Sequence, residues 1–267
     1  MVTESDVPDF LHRYGPWAVV AGASEGLGAC IARRLASRGI NLILADLRAE
    51  DLRDRAAEIR ADYPAVELRT LVGDLTQAAT LDAIKALAAD VEVGFLGWIA
   101  GAASRSAAFL DDELAYARRL IDLNVIGAVD LIHHFGQGMK QRGRGGVMLI
   151  GSTCAYAGVP GLAVYSGVKA FLLTLSEALW QEFASHGVDL IGYNLDPMDT
   201  PAVRRDFSGI DQYGLEPDAV AEAGLSQLAN GPIVYSGMSG DTARMLASMP
   251  RADAVRYLVE VAANYGG

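Results

Sequence analysis

The sequence predicts an α/β fold, in which a doubly wound parallel sheet of about seven strands carries helices on both faces. Two observations predict it. Short apolar runs of strand length alternate with longer segments of helical spacing along the whole chain. Several of these runs are apolar at every position, which is typical of parallel strands buried on both faces. With 267 residues, we expect residues 1–267 to form a single domain.

The individual elements follow from the same spacing. The predicted strands are residues 18–21, 41–45, 66–72, 94–99, 146–150, 188–195 and 232–235. The predicted helices are residues 29–37, 50–61, 80–89, 111–139, 163–185, 218–229 and 251–263. Residues 199–216 are rich in glycine, proline and charge, so we expect a mobile lid over a substrate there.

Composition excludes several classes of function. A net charge of -11 and a pI near 4.8 repel phosphate surfaces, so neither nucleic acid nor an anionic membrane is an expected partner. Apolar stretches are short or interrupted and the first residues are acidic, so we expect a cytoplasmic protein. Two cysteines, Cys30 and Cys154, are too few for a disulfide scaffold or a structural zinc site, and no metal is expected.

A glycine-rich turn follows the first strand. Gly22, Gly26 and Gly28 stand between that strand and the first helix, an arrangement that binds a pyrophosphate. Glycine lets the backbone approach a phosphate and adopt positive φ, and the helix dipole adds partial positive charge. The sequence therefore predicts a dinucleotide site, whose turn also contains Ser24, Glu25 and Leu27.

A second group of residues can move a proton. Tyr165 and Lys169 are four residues apart, so on a helix they share one face. The ordinary pKa of tyrosine is about 10, and a neighbouring ammonium lowers it toward working pH. Ser152, 13 residues before Tyr165 at the end of the fifth strand, can polarise a substrate oxygen. We therefore expect Tyr165 to be a general acid and base.

The spacing Gly-x-x-x-Gly-x-Gly, together with Asn124, Ser152, Tyr165 and Lys169, resembles the classical short-chain dehydrogenase/reductase family over nearly the whole chain. Its C-terminal part is similar to the branch that acts on hydroxysteroids and long-chain ketoacyl groups. The resemblance implies a Rossmann-like fold and a nicotinamide-dependent exchange of alcohol and ketone. It also implies that Lys169 holds the nicotinamide ribose, and that Asn124 kinks a long helix and anchors a water joined to Lys169.

The residue that ends the second strand, Asp46, favours NAD. A carboxylate at this position accepts hydrogen bonds from the adenosine ribose and repels the 2′-phosphate of NADP. Glu25 lies in the turn and favours the same choice, so NAD is the expected cofactor and NADP the less favoured one. Two alternatives stay open: Arg48 could turn toward a phosphate, and Asp46 could be a solvated carboxylate at a strand end.

Further cofactor positions are implied by the resemblance. Asp74 and Leu75 match the pair that meets the adenine edge, although Asp74 could instead cap the helix that follows. Ala100 and Gly101 match the small residues beside the adenosine. The two residues before Ala100 replace a pair of asparagines that is usual in the family.

An ungapped alignment places Asp196 after the sixth strand, where relatives carry glycine. Thr200 would then hold the nicotinamide carboxamide, and Asp196 would lie beside the ring. An anion there favours the positively charged oxidised ring. Alternatively, Asp196 pairs with Arg204 or Arg205 or faces solvent, and a gap at Pro197 would move it away.

The resemblance also implies a substrate pocket, formed by Cys154, Tyr156, Tyr193 and Met198. Such a mostly apolar wall suits a hydrophobic small-molecule alcohol or ketone. We therefore expect an NAD-dependent alcohol dehydrogenase or ketone reductase, forming a homodimer or homotetramer through helices 111–139 and 163–185. The alternative is a non-catalytic NAD-binding sensor or interaction protein on the same fold, which the loss of the asparagine pair favours.

Overall fold

The computed structural model describes residues 6–101, 104–196, 198–206 and 214–265. Its strands are β1 (Trp17–Ala21), β2 (Asn41–Asp46), β3 (Leu68–Val72), β4 (Val93–Trp98), β5 (Gly145–Ser152), β6 (Val188–Leu195) and β7 (Ile233–Tyr235). They form one sheet in the order β3-β2-β1-β4-β5-β6-β7, and every neighbouring pair is parallel. The predicted α/β fold is confirmed.

Helices connect the strands on both faces. They are α1 (Asp6–Tyr14), α2 (Gly26–Ala36), α3 (Ala49–Asp62), α4 (Ala78–Leu87), α5 (Leu114–Ile121), α6 (Gly127–Arg142), α7 (Ala163–Ala184), α8 (Pro201–Asp206), α9 (Pro217–Ser226), α10 (Ser239–Ser248) and α11 (Arg251–Tyr265). A π-helix, Asp122–Ile126, interrupts the predicted helix 111–139. Within the described residues, no helix is both long enough and apolar enough to cross a membrane.

Outside the predicted lid, two of the described helices, α1 and α10, were not predicted from the sequence. The Arg13 and Tyr14 side chains of α1 both bind the Asp189 carboxylate at the start of β6. Of the predicted lid, residues 201–206 form α8, and residues 207–213 lie outside the described part of the chain.

Two apolar layers cover the sheet. Successive side chains of a strand alternate between its faces, so Val20 of β1 belongs to one layer and Val19 to the other. The first layer contains residues of α2 and α9, and the second contains residues of α4, α6 and α7. Complete burial of one such aliphatic side chain contributes roughly 1.5–3 kcal/mol. The edge strand β3 is partly exposed because it has a neighbour on one side only.

The order of the strands determines where a site forms. The chain passes from β1 to β2 on one side, whereas β4 lies on the other side of β1. The loops after β1 and β4 therefore diverge, and a crevice opens at their carboxyl ends. Strands β5 and β6 end at this same edge, with Ser152 and Leu195 as their last residues. The sheet thus brings the glycine turn and Ser152 to one edge.

Candidate active site

A cleft of about 440 Å³ lies at the carboxyl edge of the sheet. The predicted residues that line it are Gly22, Ser24, Glu25, Gly26, Leu27, Gly28, Asp46, Ala100, Gly101, Ser152, Cys154, Tyr165, Lys169, Asp196, Met198 and Thr200. Its lining does not include Asp74, Leu75, Asn124, Tyr156 or Tyr193.

The glycine turn requires a backbone without side chains. Gly22 and Gly26 have φ angles of +89° and +54°, in the left-handed region that favours glycine. A Cβ on Gly22 would lie 2.6 Å from the backbone nitrogen of Ala100, and a Cβ on Gly28 would overlap the Gly22 carbonyl. Because α2 begins at Gly26, the unpaired N–H groups and the positive dipole end of α2 face the cleft. This arrangement suits an anion such as a pyrophosphate.

Asp46 is held at the end of β2 by two backbone groups. Its Oδ2 accepts a hydrogen bond from the Ser24 N–H at 3.0 Å, and its Oδ1 accepts one from the Arg48 N–H at 3.2 Å. The Arg48 guanidinium donates to Asp51 at 2.6 Å. The carboxylate therefore lies beside the turn, while the Arg48 side chain is engaged by a residue of α3.

An ion pair joins the glycine turn to α8. The two terminal nitrogens of Arg205 donate to the two carboxylate oxygens of Glu25 at 2.7 and 2.6 Å. Arg48 Nη1 lies 3.9 Å from the same carboxylate. Part of the predicted lid is thus attached to the turn, and Arg205 is a partner of Glu25. The sequence analysis missed this pair because its members are 180 residues apart.

The predicted adenine-edge pair lies outside the cleft. Asp74 accepts hydrogen bonds from the Thr76 N–H and hydroxyl and from Arg119 at 2.7 Å. Burial raises the pKa of Asp74, but these hydrogen bonds outweigh it and the net shift is downward. Leu75 is buried in the second apolar layer. The carboxylate of Asp74 therefore supports a turn and an ion pair in this structure.

The two residues that replace the asparagine pair point in different directions. Trp98 is fully buried, and its ring packs where Gly127 of α6 leaves room. Ile99 lines the cleft. The backbone N–H groups of Ile99 and Ala100 both donate to the Ala21 carbonyl, at 2.9 and 3.0 Å. The backbone beside the cleft is therefore fixed by β1, and Ile99 adds an apolar surface to it.

Tyr165, Lys169 and Ser152 lie together at the other end of the cleft. Lys169 is 2% exposed, its Nζ donates to the Ile150 carbonyl at 3.0 Å, and it lies 5.5 Å from the centre of the Tyr165 ring. Burial lowers the pKa of Lys169 to about 8. Burial raises the pKa of Tyr165, and a hydrogen bond with Ser152 opposes that rise. A protonated phenol therefore lies beside a cation and a hydroxyl.

A short 3₁₀ turn, Thr153–Ala155, follows β5. Ser152 caps its N-terminus, and Cys154 is its middle residue. The Ser152 Oγ accepts a hydrogen bond from the Cys154 N–H at 3.2 Å, so its hydroxyl hydrogen is donated in another direction, toward Tyr165 and the cleft. Burial raises the pKa of the Cys154 thiol. The hydrogen bond with Ser152 and the charge of Lys169 lower this pKa, but burial has the larger effect. Cys154 is therefore a neutral wall residue and not an activated nucleophile.

Asn124 lies in the π-helix, at the interruption that the resemblance implies. It is fully buried, and its Nδ2 donates to the Leu120 carbonyl at 3.0 Å. Its Oδ1 has no hydrogen-bond partner among the described residues and lies against Gly101. A buried carbonyl oxygen of this kind is a suitable acceptor for an ordered water.

Asp196 lines the cleft and is bound to the turn before α10. The carboxylate accepts a hydrogen bond from the Met238 N–H at 2.5 Å, and its own N–H donates to Ser236. Burial raises the pKa of Asp196, and hydrogen bonds from backbone N–H groups oppose this. Arg204, the first alternative partner, pairs instead with Asp199 at 2.5 Å. The other alternative, a gap at Pro197, falls on a residue outside the described part of the chain.

Thr200 lies where α8 begins. Its Oγ1 accepts a hydrogen bond from the Val203 N–H at 3.2 Å, and its methyl group would lie 3.1 Å from a Cβ on Gly26. Thr200 therefore contributes to the cleft and also packs against the glycine turn.

The expected substrate wall is only partly present. Cys154 and Met198 line the cleft, but Tyr193 is buried in the core, where its hydroxyl donates to the Val220 carbonyl at 3.0 Å. Tyr193 lies two residues before Leu195, so it is on the correct face of β6 but too deep in the sheet. Tyr156 does not line the cleft, and its hydroxyl forms a hydrogen bond of 2.8 Å with the hydroxyl of Tyr235. Several apolar lining residues were not predicted from the sequence: Ile150, Leu195, Ala202 and Val203.

Comparison with known families and proteins agrees with this geometry. The family model for short chain dehydrogenases matches residues 16–210, which is more than half of the chain. A very-long-chain 3-oxoacyl-CoA reductase of Podospora anserina is 35% identical over 67% of the chain. The match spans 55% of that protein, so the chain corresponds to about half of its length.

Two further similarities concern hydroxysteroid dehydrogenases. A 7beta-hydroxysteroid dehydrogenase of Clostridium sardiniense is 29% identical over 80% of the chain and 79% of its own length. A solved structure from work on 7beta-hydroxysteroid dehydrogenase stereoselectivity superposes with a TM-score of 0.85. The superposition covers 93% of this chain and 98% of the chain in that structure. Because the two sequences are only 24% identical, the match supports the fold alone.

The contact between Gly101 and Asn124 generates a first prediction. Gly101 has a φ of +131°, and a Cβ there would overlap the Asn124 Oδ1. We expect Gly101→Ala to lower the free energy of unfolding by about 1–3 kcal/mol through backbone strain and displacement of a buried amide. Urea unfolding would measure this. The control is Gly158→Ala, because a Cβ on Gly158 meets no atom within 4 Å. Equal stability of the two variants would contradict the prediction.

Proposed function

Because this chain belongs to the short-chain dehydrogenase family, we propose that it is an NAD(H)-dependent oxidoreductase that interconverts a secondary alcohol and a ketone on a mostly hydrophobic small molecule. One observation carries the proposal: Tyr165, Lys169 and Ser152 line the same cleft as the glycine turn and Asp46. A proton-transfer group and a dinucleotide cradle therefore share one cavity.

The residues present fit a nicotinamide dinucleotide. The turn at Gly22 and Gly28 leaves no room for side chains, and the N-terminus of α2 faces the space that remains. We propose that Asp46 accepts hydrogen bonds from the ribose hydroxyls of the adenosine and that Lys169 and Thr200 hold the nicotinamide half, because all three line the cleft. A bound cofactor of this class supplies or accepts the hydride.

The chain's own groups handle the proton. In ketone reduction, the Tyr165 hydroxyl donates its proton to the developing alkoxide, and the Ser152 hydroxyl donates a hydrogen bond to the same oxygen. The Lys169 ammonium stabilises the phenolate that results, because a positive charge a few ångströms away favours the anion. With a pKa of about 8, Lys169 is largely charged at neutral pH. Alcohol oxidation needs the phenolate and is therefore favoured as pH rises.

The alternative function, a non-catalytic cofactor sensor, rests on the missing asparagine pair. That loss affects Trp98, which packs in the core, and Ile99, which adds apolar surface to the cleft. Tyr165, Lys169 and Ser152 are all retained, and they line the cleft together. An enzyme is therefore the better-supported function.

We expect Tyr165→Phe to lower kcat by about 10²–10⁴-fold while cofactor binding is retained, because the substitution removes the transferable proton and keeps the ring. Turnover is followed through reduced nicotinamide absorbance with a panel of hydrophobic ketones. Tyr156→Phe is the matched control, since its hydroxyl binds Tyr235 outside the cleft. Near-parental activity of Tyr165→Phe would assign proton transfer to another residue.

The second functional prediction concerns the choice between NAD and NADP. Glu25 is paired with Arg205, so the discrimination rests mainly on Asp46. We expect NAD to bind at least about tenfold more tightly than NADP, a difference of about 1.4 kcal/mol. Asp46→Ala should weaken NAD binding and bring the two dissociation constants closer together, as measured by calorimetry.

The control for this measurement is Asp54→Ala, which removes an equal charge from an exposed position of α3. It should leave the ratio of the two constants unchanged. Equal affinities in the parent protein would refute the proposed preference. An unchanged ratio in Asp46→Ala would mean that another residue discriminates between the two cofactors, and Arg48, which also lines the cleft, would be tested first.

Asp196 generates the third functional prediction. The carboxylate lines the cleft, and Arg204 is engaged by Asp199. We propose that Asp196 lies beside the nicotinamide ring and favours the oxidised cofactor by about 1 kcal/mol, or about fivefold in affinity. Asp196→Asn should remove this difference between NAD⁺ and NADH dissociation constants.

The control is Asp199→Asn, whose carboxylate binds Arg204 and does not line the cleft. If Asp196→Asn leaves the NAD⁺/NADH ratio at the parental value, the carboxylate does not interact with the ring charge.

We propose in addition that the protein assembles as a homodimer or homotetramer in the cytoplasm. Val129 of α6 and Phe171 of α7 are large exposed apolar residues. A cavity of about 290 Å³ between the same two helices is lined by Val129, Leu175 and Phe183. Burial of these side chains against a second copy would remove apolar surface from water.

A further inference from the structure

A second cavity, of about 240 Å³, adjoins the catalytic cleft. It is bounded by the segment before α5, by α5 itself and by the first residues of α7. Leu162 and Tyr165 line both this cavity and the cleft. Tyr165, the proposed proton-transfer residue, therefore contributes to the lining of two cavities, and only one of the two contains the glycine turn.

The wall of the second cavity is fixed by hydrogen bonds. The Ala107 N–H donates to the Gly161 carbonyl at 3.0 Å, which ties the segment before α5 to the segment before α7. The Ser104 N–H donates to the Tyr116 hydroxyl at 2.9 Å. Gly161 has a φ of +82°, and a Cβ there would overlap the Ser106 Oγ. The cavity thus exists without a ligand to organise it.

The lining is apolar and remains open to water. Phe109, Leu110 and Leu114 line the cavity and are 58%, 90% and 58% exposed. Ala117 and Leu120 of α5 form its inner side. Exposure of three large apolar side chains around one cavity is unusual for a monomer surface and marks a binding site.

The charged groups at the rim of the cavity carry a net negative charge. Arg105 stacks on the Tyr116 ring at 4.2 Å, lies 2.5 Å from Asp112 and lies 3.7 Å from Glu113. Two carboxylates therefore surround one guanidinium that is already paired. An anionic group entering here would meet a net negative rim, whereas an uncharged chain would meet none of this repulsion.

From these observations we infer that the second cavity is a subsite for the uncharged, apolar tail of the substrate whose carbonyl is held at Tyr165. The inference rests on the proposed function. Leu162 is the residue over which such a tail passes, because it lines both cavities. Each methylene buried in the subsite improves kcat/KM by about fourfold until the cavity is full.

The test compares two ketones and two matched variants. We expect the parent protein to reduce 2-decanone with a kcat/KM at least tenfold above that for 2-butanone. Ala117→Phe places a ring in the subsite and should abolish this ratio while 2-butanone stays within twofold of the parent. Ala115→Phe, an equal change at an exposed position two residues away, should leave the ratio unaltered. 9-Oxodecanoate, with a charged end at equal length, should be a poorer substrate than 2-decanone.

Three results would overturn the inference. One is a loss of activity in Ala117→Phe that is equal for both ketones, and another is an unaltered ratio. The third is a lower molar mass of Ala117→Phe than of Ala115→Phe by light scattering, because the cavity would then be an interface between copies.

Failure of the proposed function has a separate readout. If neither ketone is reduced, fluorescence of the neutral apolar dye Nile red still reports on the cavity. Dye binding that is retained in Ala115→Phe and lost in Ala117→Phe supports an apolar subsite without the reaction. Absence of dye binding to the parent protein, or equal binding to both variants, overturns it.

Discussion

The close approach of the backbone at Gly22 to the backbone at Ala100 is the constraint on which the rest of the site depends. The Ala21 carbonyl accepts hydrogen bonds from both Ile99 and Ala100, so the segments after β1 and β4 are joined before they diverge. A side chain at Gly22 would separate them. On one side of this contact α2 presents its N-terminus, and on the other Gly101 leaves room for the Asn124 amide. Both halves of the cleft therefore derive their positions from one contact.

The end of the cleft that contains Tyr165 and Lys169 depends on burial in a different way. Lys169 is almost completely removed from water, and among the described residues its ammonium retains one hydrogen-bond partner, the Ile150 carbonyl. Desolvation of the ammonium costs free energy, and the carbonyl bond offsets only part of that cost. A cation that is poorly compensated interacts strongly with a nearby phenolate, because few water dipoles screen the pair. The lowered pKa of Lys169 and its ability to stabilise the Tyr165 anion have the same origin.

The sequence predicted features that depend on local spacing and missed those that depend on distant partners. The glycine turn and the Tyr165–Lys169 pair are local patterns, and the structure places their residues along one cleft. Asp74 follows β3, as the sequence predicts, but its partner Arg119 is 45 residues away and no local pattern indicates the pair. Tyr193 shows a further limit. Alternation along β6 gives the face of a side chain, but it does not give the depth at which the cleft ends.

The ion pair between Glu25 and Arg205 joins two walls of the cleft, the glycine turn and α8, through opposite charges. Salt screens the attraction between partly exposed charges. Thr200, just before α8, also packs against Gly26 of the turn. A change in ionic strength therefore acts on the wall of the cleft itself and not only on the outer surface of the molecule.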